Sequence, residues 1–191
     1  MSIRICEAQL ESITPYIQSG FHETEKLPKE KPDEYEIRTW RNKATTDKNG
    51  VVCIPSMALK MCVDESIKRL QLQIPGKGKT QYTKYFLAGQ LCDADVSLGI
   101  HKDAAIQHKV WANADGVRGS GKRVKRFFPM IESWNGAASF QLLDDNIPND
   151  IFERALREAG LLVGIGSFRP ERGGLHGRFT VKRISWSEMK I

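Results

Sequence analysis

The sequence lacks most of what would point to a membrane, a metal or a disulfide framework. No apolar run approaches the roughly 20 residues a membrane span needs, so no membrane association is expected. The first ten residues carry Arg4 and Glu7 and have no apolar stretch, which predicts no secretory signal. Histidine is scarce: His22, His101, His108 and His176 are the four, and no HExxH or HxH occurs among them. No metal site is expected. The cysteines are Cys6, Cys53, Cys62 and Cys92, spaced like neither a CxxC knuckle nor a dense disulfide scaffold. Each sits among apolar neighbours, which predicts buried free thiols and a reducing, cytoplasmic setting. Signatures of catalysis are also missing. There is no GxSxG, no paired-carboxylate signature, and no Cys/His pair that spacing identifies. Pro75-Gly76-Lys77-Gly78-Lys79-Thr80 fails as a P-loop because Gln73 stands where the leading glycine belongs. The expectation is a protein without a cofactor and without enzymatic activity.

What is present is a globular composition with a basic bias. Hydrophobic residues make up 40% of 191 residues, which excludes a disordered chain and suffices for one domain with insertions. Lys and Arg outnumber Asp and Glu by 29 to 23. The basic residues are clustered, and clustering is the footprint of a nucleic acid partner.

Ile3 to Leu10 alternates as a strand, with Ile3 and Ile5 on one face and Arg4 and Cys6 on the other. Residues 13–50 read as an insertion, mostly loop, with a short strand over Tyr35 to Arg41. Val51 to Ile54 is a short apolar run. Pro55 then starts a helix that runs to Leu70, with Leu59, Val63, Ile67 and Leu70 as its apolar stripe and Asp64–Lys68 as an i,i+4 ion pair. Residues 75–130 read as a basic insertion holding strand-like material from Tyr85 to Ile100. Ala138 to Leu143 is a strand and Asn149 to Ala159 a second helix, with Gly160 as its stop. Leu161 to Ile165 reads as a buried strand and Arg178 to Ile184 as the last one. Without the insertions the order is βαββαβ, an α+β, ferredoxin-like palm.

Three segments carry candidate chemistry. Ser56 and Lys60 lie in the first turns of the helix that begins at Pro55, where unpaired N–H groups favour a phosphate. An ordinary strand-to-helix connection fits the same residues. Gly164 to Phe179 holds five glycines, with Arg169, Arg172, His176 and Arg178. Glycine lets a backbone approach a ligand and arginine pairs with phosphate, although a flexible hairpin loop has the same composition. Arg118, Lys122, Arg123, Lys125 and Arg126 form a dense basic block, with Trp111 and Trp134 near it in sequence. Cations meet phosphates and aromatic faces stack on unpaired bases. Lys77 and Lys79 can extend that surface. His176 is the histidine best placed for acid–base chemistry on RNA.

The run Gly50-Val51-Val52-Cys53-Ile54-Pro55-Ser56-Met57-Ala58-Leu59-Lys60 resembles the "IPGSSLKG" start of the first helix in the RAMP superfamily. Ala159 to Arg169, closing with Gly177-Arg178-Phe179, resembles the same family's C-terminal glycine-rich segment. That family includes the guide-RNA backbone subunits and guide-processing ribonucleases of CRISPR effectors. The resemblance implies a single RAMP-like domain over 1–191 whose palm holds the backbone of a guide-like single-stranded RNA. It places Ser56, Lys60, Arg169, Arg172 and Arg178 on that RNA and makes the basic insertion a thumb. CRISPR effector subunits, or copies of the chain multimerising along RNA, become its expected partners. Asp47 falls in a loop where some members place a cleaving aspartate. The chain departs from the pattern at Ser56 and Met61, where the family has glycine, and it is short for a backbone subunit. A stand-alone or phage-borne relative fits the short length, including an anti-CRISPR mimic working through protein contacts. A metal-independent endoribonuclease using His176 is the third alternative.

Overall fold

The computed structural model describes residues 2–113, 121 and 123–190. In chain order its strands and helices are β1 (Ser2–Ser12), β2 (Tyr16–Ile17), α1 (Pro32–Thr39), β3 (Val51–Ile54), α2 (Ser56–Leu70), α3 (Thr83–Gly89), β4 (Gln90–Cys92), β5 (Val96–His101), β6 (Ile106–Asn113), β7 (Arg123–Ile131), β8 (Asn135–Leu142), α4 (Asn149–Glu158) and β9 (Phe179–Lys190). The architecture is α+β with antiparallel sheets. The largest has the order β4-β8-β1-β9, a second has β2-β7-β6, and β3 pairs with β5.

The alternation of β1 puts Cys6, Ala8 and Leu10 in the core, so the buried face is the one that also bears Arg4. Helices α2 and α4 pack against each other over this sheet. Buried Ser66 of α2 donates its hydroxyl to the Ala155 carbonyl of α4 at 2.7 Å, which satisfies a polar group at a close helix crossing. Phe152 of α4 is fully buried and stacks among Phe86, Phe140 and Trp186. All four cysteines are free and buried. Burial pushes the thiols of Cys6 and Cys62 up to about 12.

Several elements differ from the sequence expectations. The strand expected over Tyr35 to Arg41 is helical, as α1 followed by a 3-10 turn over Trp40–Lys43. Pro32 opens α1, and the Lys31 backbone N–H donates to Glu34 Oε2 at 3.0 Å, so local capping outweighs β propensity. Residues 13–50 thus hold β2, α1 and the 3-10 turn. Part of Tyr85 to Ile100 is α3. The strand expected over Leu161 to Ile165 is instead a π-helical turn, Ala159–Val163, continuing α4. Gly160 packs so tightly on Phe179 that a Cβ would come within 2.2 Å of its carbonyl oxygen, and the Cys62 thiol reaches the carbonyls of Ala159 and Gly164. The ion pair on α2 is Lys60–Asp64, and Lys68 turns to Glu65 at 3.5 Å. Asp64 is buried toward Gln90, which donates to it at 2.9 Å and draws it away from Lys68. Within the span 75–130, β4 is an edge strand of the main sheet.

Candidate nucleic-acid interface

At the start of α2 the Ser56 backbone N–H and the Lys60 ammonium both have partners within the protein. The Ser56 backbone N–H donates to Asp95 Oδ1 at 2.8 Å, so a carboxylate from the β4–β5 connection already caps the helix. Lys60 points along the helix to Asp64 and donates to the Leu87 carbonyl at 3.0 Å. Asp95→Ala removes this cap and is expected to cost about 1 kcal/mol, the usual worth of an N-cap. A thermal melt equal to the parent's would show that Asp95 does not carry the helix start.

The glycine-rich loop is ordered by its own arginines. Arg169 donates to Glu171 at 2.8 Å and to the Gly166 carbonyl at 3.2 Å. Arg178 donates to the carbonyls of Leu161 and Leu175 at 3.1 and 3.3 Å. Main-chain bonds then seat the loop on β2: Ser167 N–H to the Ile17 carbonyl and Gly177 N–H to the Pro15 carbonyl, both at 2.8 Å. Arg172 alone of the three keeps its head in solvent, with a side chain 72% exposed and 3.6 Å from Glu171. Phe168, a bulky residue, sits in the left-handed region at φ 59°, a conformation held by the surrounding bonds.

The loop and α2 face each other across a cleft of about 470 Å³. The two segments singled out by sequence thus meet, through Ala58, Met61 and Cys62 on the helix and Val163 to Gly166 on the loop. Ser56, Lys60 and Asp47 are not in its wall. Its charges are Asp64, Glu65 and Glu171 against Lys68, Arg169 and Arg172, and the carboxylates take up the cations. This cleft presents little net positive charge to a phosphate.

The β6–β7 hairpin does. Trp111 lies opposite Lys125, and the period of two puts Lys109 and Arg123 on the same face. Trp111 is 56% exposed, the Lys125 ammonium stands 5.6 Å from its ring centre, and Arg123 donates to the Trp111 carbonyl at 3.2 Å. Arg126 is engaged elsewhere, with buried Glu36 at 2.6 Å, which also binds Lys43 at 2.7 Å. Burial alone would raise the Glu36 carboxyl. The hydrogen bonds from Lys43 and Arg126 outweigh it and hold the group below its ordinary value. Arg118 and Lys122 lie outside the described residues. Lys77 and Lys79 are exposed, with Lys77 3.3 Å from Asn146 Oδ1. Trp134 is buried edge-on to Tyr16 and belongs to the core. Asp47 closes a turn, with Oδ1 accepting from the N–H groups of Asn49 and Val51.

No known protein family matches this chain, and no curated protein does. Solved structures do. A chain in the cryo-EM structure of the Type III-B Cmr-beta bound to cognate target RNA is 10% identical, with a TM-score of 0.55 over 96% of this protein. The likeness is one of fold. It covers 60% of that larger chain. The crystal structure of Cmr6 from Pyrococcus furiosus is 12% identical over 95% of this protein and 98% of its own length, at a TM-score of 0.49. Most of this protein is therefore folded like that chain of the Cmr-beta structure. Sequence reasoning found the basic hairpin but missed Glu36 and Glu171, which take up cations, and Asp95, which takes up the first N–H of α2. No local pattern announces them, because their partners lie far along the chain or across a turn.

Proposed function

We propose that this protein is a non-catalytic, RAMP-like subunit that holds single-stranded RNA on the outer face of its β6–β7 hairpin. Lys109, Arg123 and Lys125 meet phosphates there, and Trp111 stacks on an unpaired base. The exposed Trp111 among three cations carries the reading. Arg172, Lys77 and Lys79 are further contacts along the path. A ferredoxin-like βαββαβ palm underlies it. The strand order β4-β8-β1-β9, with α2 between β1 and β4 in sequence and α4 between β8 and β9, supports that palm. The fold likeness to a chain of the Cmr-beta structure, which is bound to target RNA, supports RNA over DNA, and the partners we propose are CRISPR effector subunits or further copies of this chain.

Titration of labelled single-stranded RNA and matched DNA at several salt concentrations tests this. RNA is expected to bind more tightly, with log affinity falling in log salt by about 0.7 per phosphate contact. Binding indifferent to salt, or absent for both strands, would overturn the reading and leave the hairpin to a protein partner.

A further inference from the structure

Four rings meet where the hairpin leans on the glycine-rich loop. His108 of β6 lies opposite Phe128 of β7. Phe168 of the loop stands edge-on to Phe128 at 5.6 Å and lies 5.8 Å from His108. The ring of His176 is 5.3 Å from that of His108, edge to face. The His176 backbone N–H donates to the Phe168 carbonyl at 3.0 Å, which fixes the two loop residues together. His176 Nδ1 is shut away from solvent with no hydrogen-bond partner among the described residues.

No carboxylate within this cluster is set to welcome a proton. From the 3-10 turn, the Lys43 ammonium lies 4.8 Å over the Phe128 ring. From β7, Arg126 shares the face of Phe128 and is matched by Glu36 of α1, which Lys43 also uses. From the loop, Arg169 and Arg172 share Glu171. Among the described residues no carboxylate pairs with His108 or His176. Burial first, and His176 second, hold the His108 imidazole below its ordinary value.

We propose that His108, seated edge to face on His176, is a proton-operated latch: with the His108 ring neutral the hairpin is held on the glycine-rich loop, and a charged His108 releases it. The sign follows from linkage. His108 binds a proton less readily in the closed arrangement than when freed, so protons favour the open one. Closure is complete above the ordinary histidine range and is lost as pH falls through that range toward the lowered His108 value. One linked proton tilts the balance by at most about tenfold per pH unit. The latch stands on ring geometry and is independent of the RNA reading.

Hydrogen exchange between about pH 7.5 and 5.5 tests it, with β6 and β7 amides referenced in each sample to those of β1 and β8. Hairpin protection is expected to fall with pH in the parent, by up to about tenfold per unit. It is expected to stay level in His108→Phe, which keeps a ring that cannot titrate. A parent hairpin that does not loosen, or a variant that loosens equally, overturns the latch. Imidazole resonances of the parent give a check that needs no variant. His108 titrating at or above the ordinary histidine value overturns the latch, and titration below it supports the closed arrangement.

Discussion

Gly177→Ala is expected to be among the most damaging single-atom-group changes in the chain, lowering the thermal midpoint by roughly 10 °C. Gly177 has φ +79°, and a Cβ there would stand 1.9 Å from the Ile165 carbonyl oxygen. That carbonyl belongs to the loop's opposite arm, which Gly177 itself fixes by accepting from the Ile165 N–H at 3.0 Å. The left-handed backbone costs an L-residue about 1–2 kcal/mol, and overpacking against main chain adds about 1–3. Gly173→Ala is the control. Its φ is +76° but nothing lies within 4 Å of the added carbon, so only the backbone cost applies. Equal melting of the two variants would show that the loop's arms are not closely packed.

The second large effect is on affinity. Reversing Lys109, Arg123 and Lys125 to glutamate removes three phosphate contacts at about 0.7 each. The salt slope should flatten by about 2 and RNA affinity at 0.1 M salt should fall on the order of 100-fold. Trp111→Ala should act differently. It removes a stacking platform worth about 1–3 kcal/mol and leaves the salt slope where it was. A triple reversal with unchanged slope would move the RNA off this hairpin, even if binding itself were real.

The legible part of this sequence was its periodic part. α2 and α4 follow from apolar stripes, β3 from a short run before a proline, and β9 from Phe179 and Val181 facing inward. The π-turn after α4 was not legible, since Leu161 to Ile165 has the composition of a strand and its outcome is set by the contact of Gly160 with Phe179. The candidate site divides the same way. Clustering of cations on β7 was visible in sequence, but which of them remain available depends on long-range partners. Glu36 removes Arg126 from across 90 positions, and Glu171 removes Arg169 from two residues away. The pairing of His108 with His176 arises from the docking of a hairpin on a loop, which no local spacing encodes.

The buried thiols have a consequence for how this protein ages. Cys6 and Cys92 fall on β1 and β4 of the main sheet, Cys53 on β3 and Cys62 on α2, so the thiols report on three separate parts of the molecule. With little thiolate at neutral pH they are poor targets for oxidants while the fold is closed. Damage would begin only after local opening, so the first cysteine to be modified would mark the element that opened first.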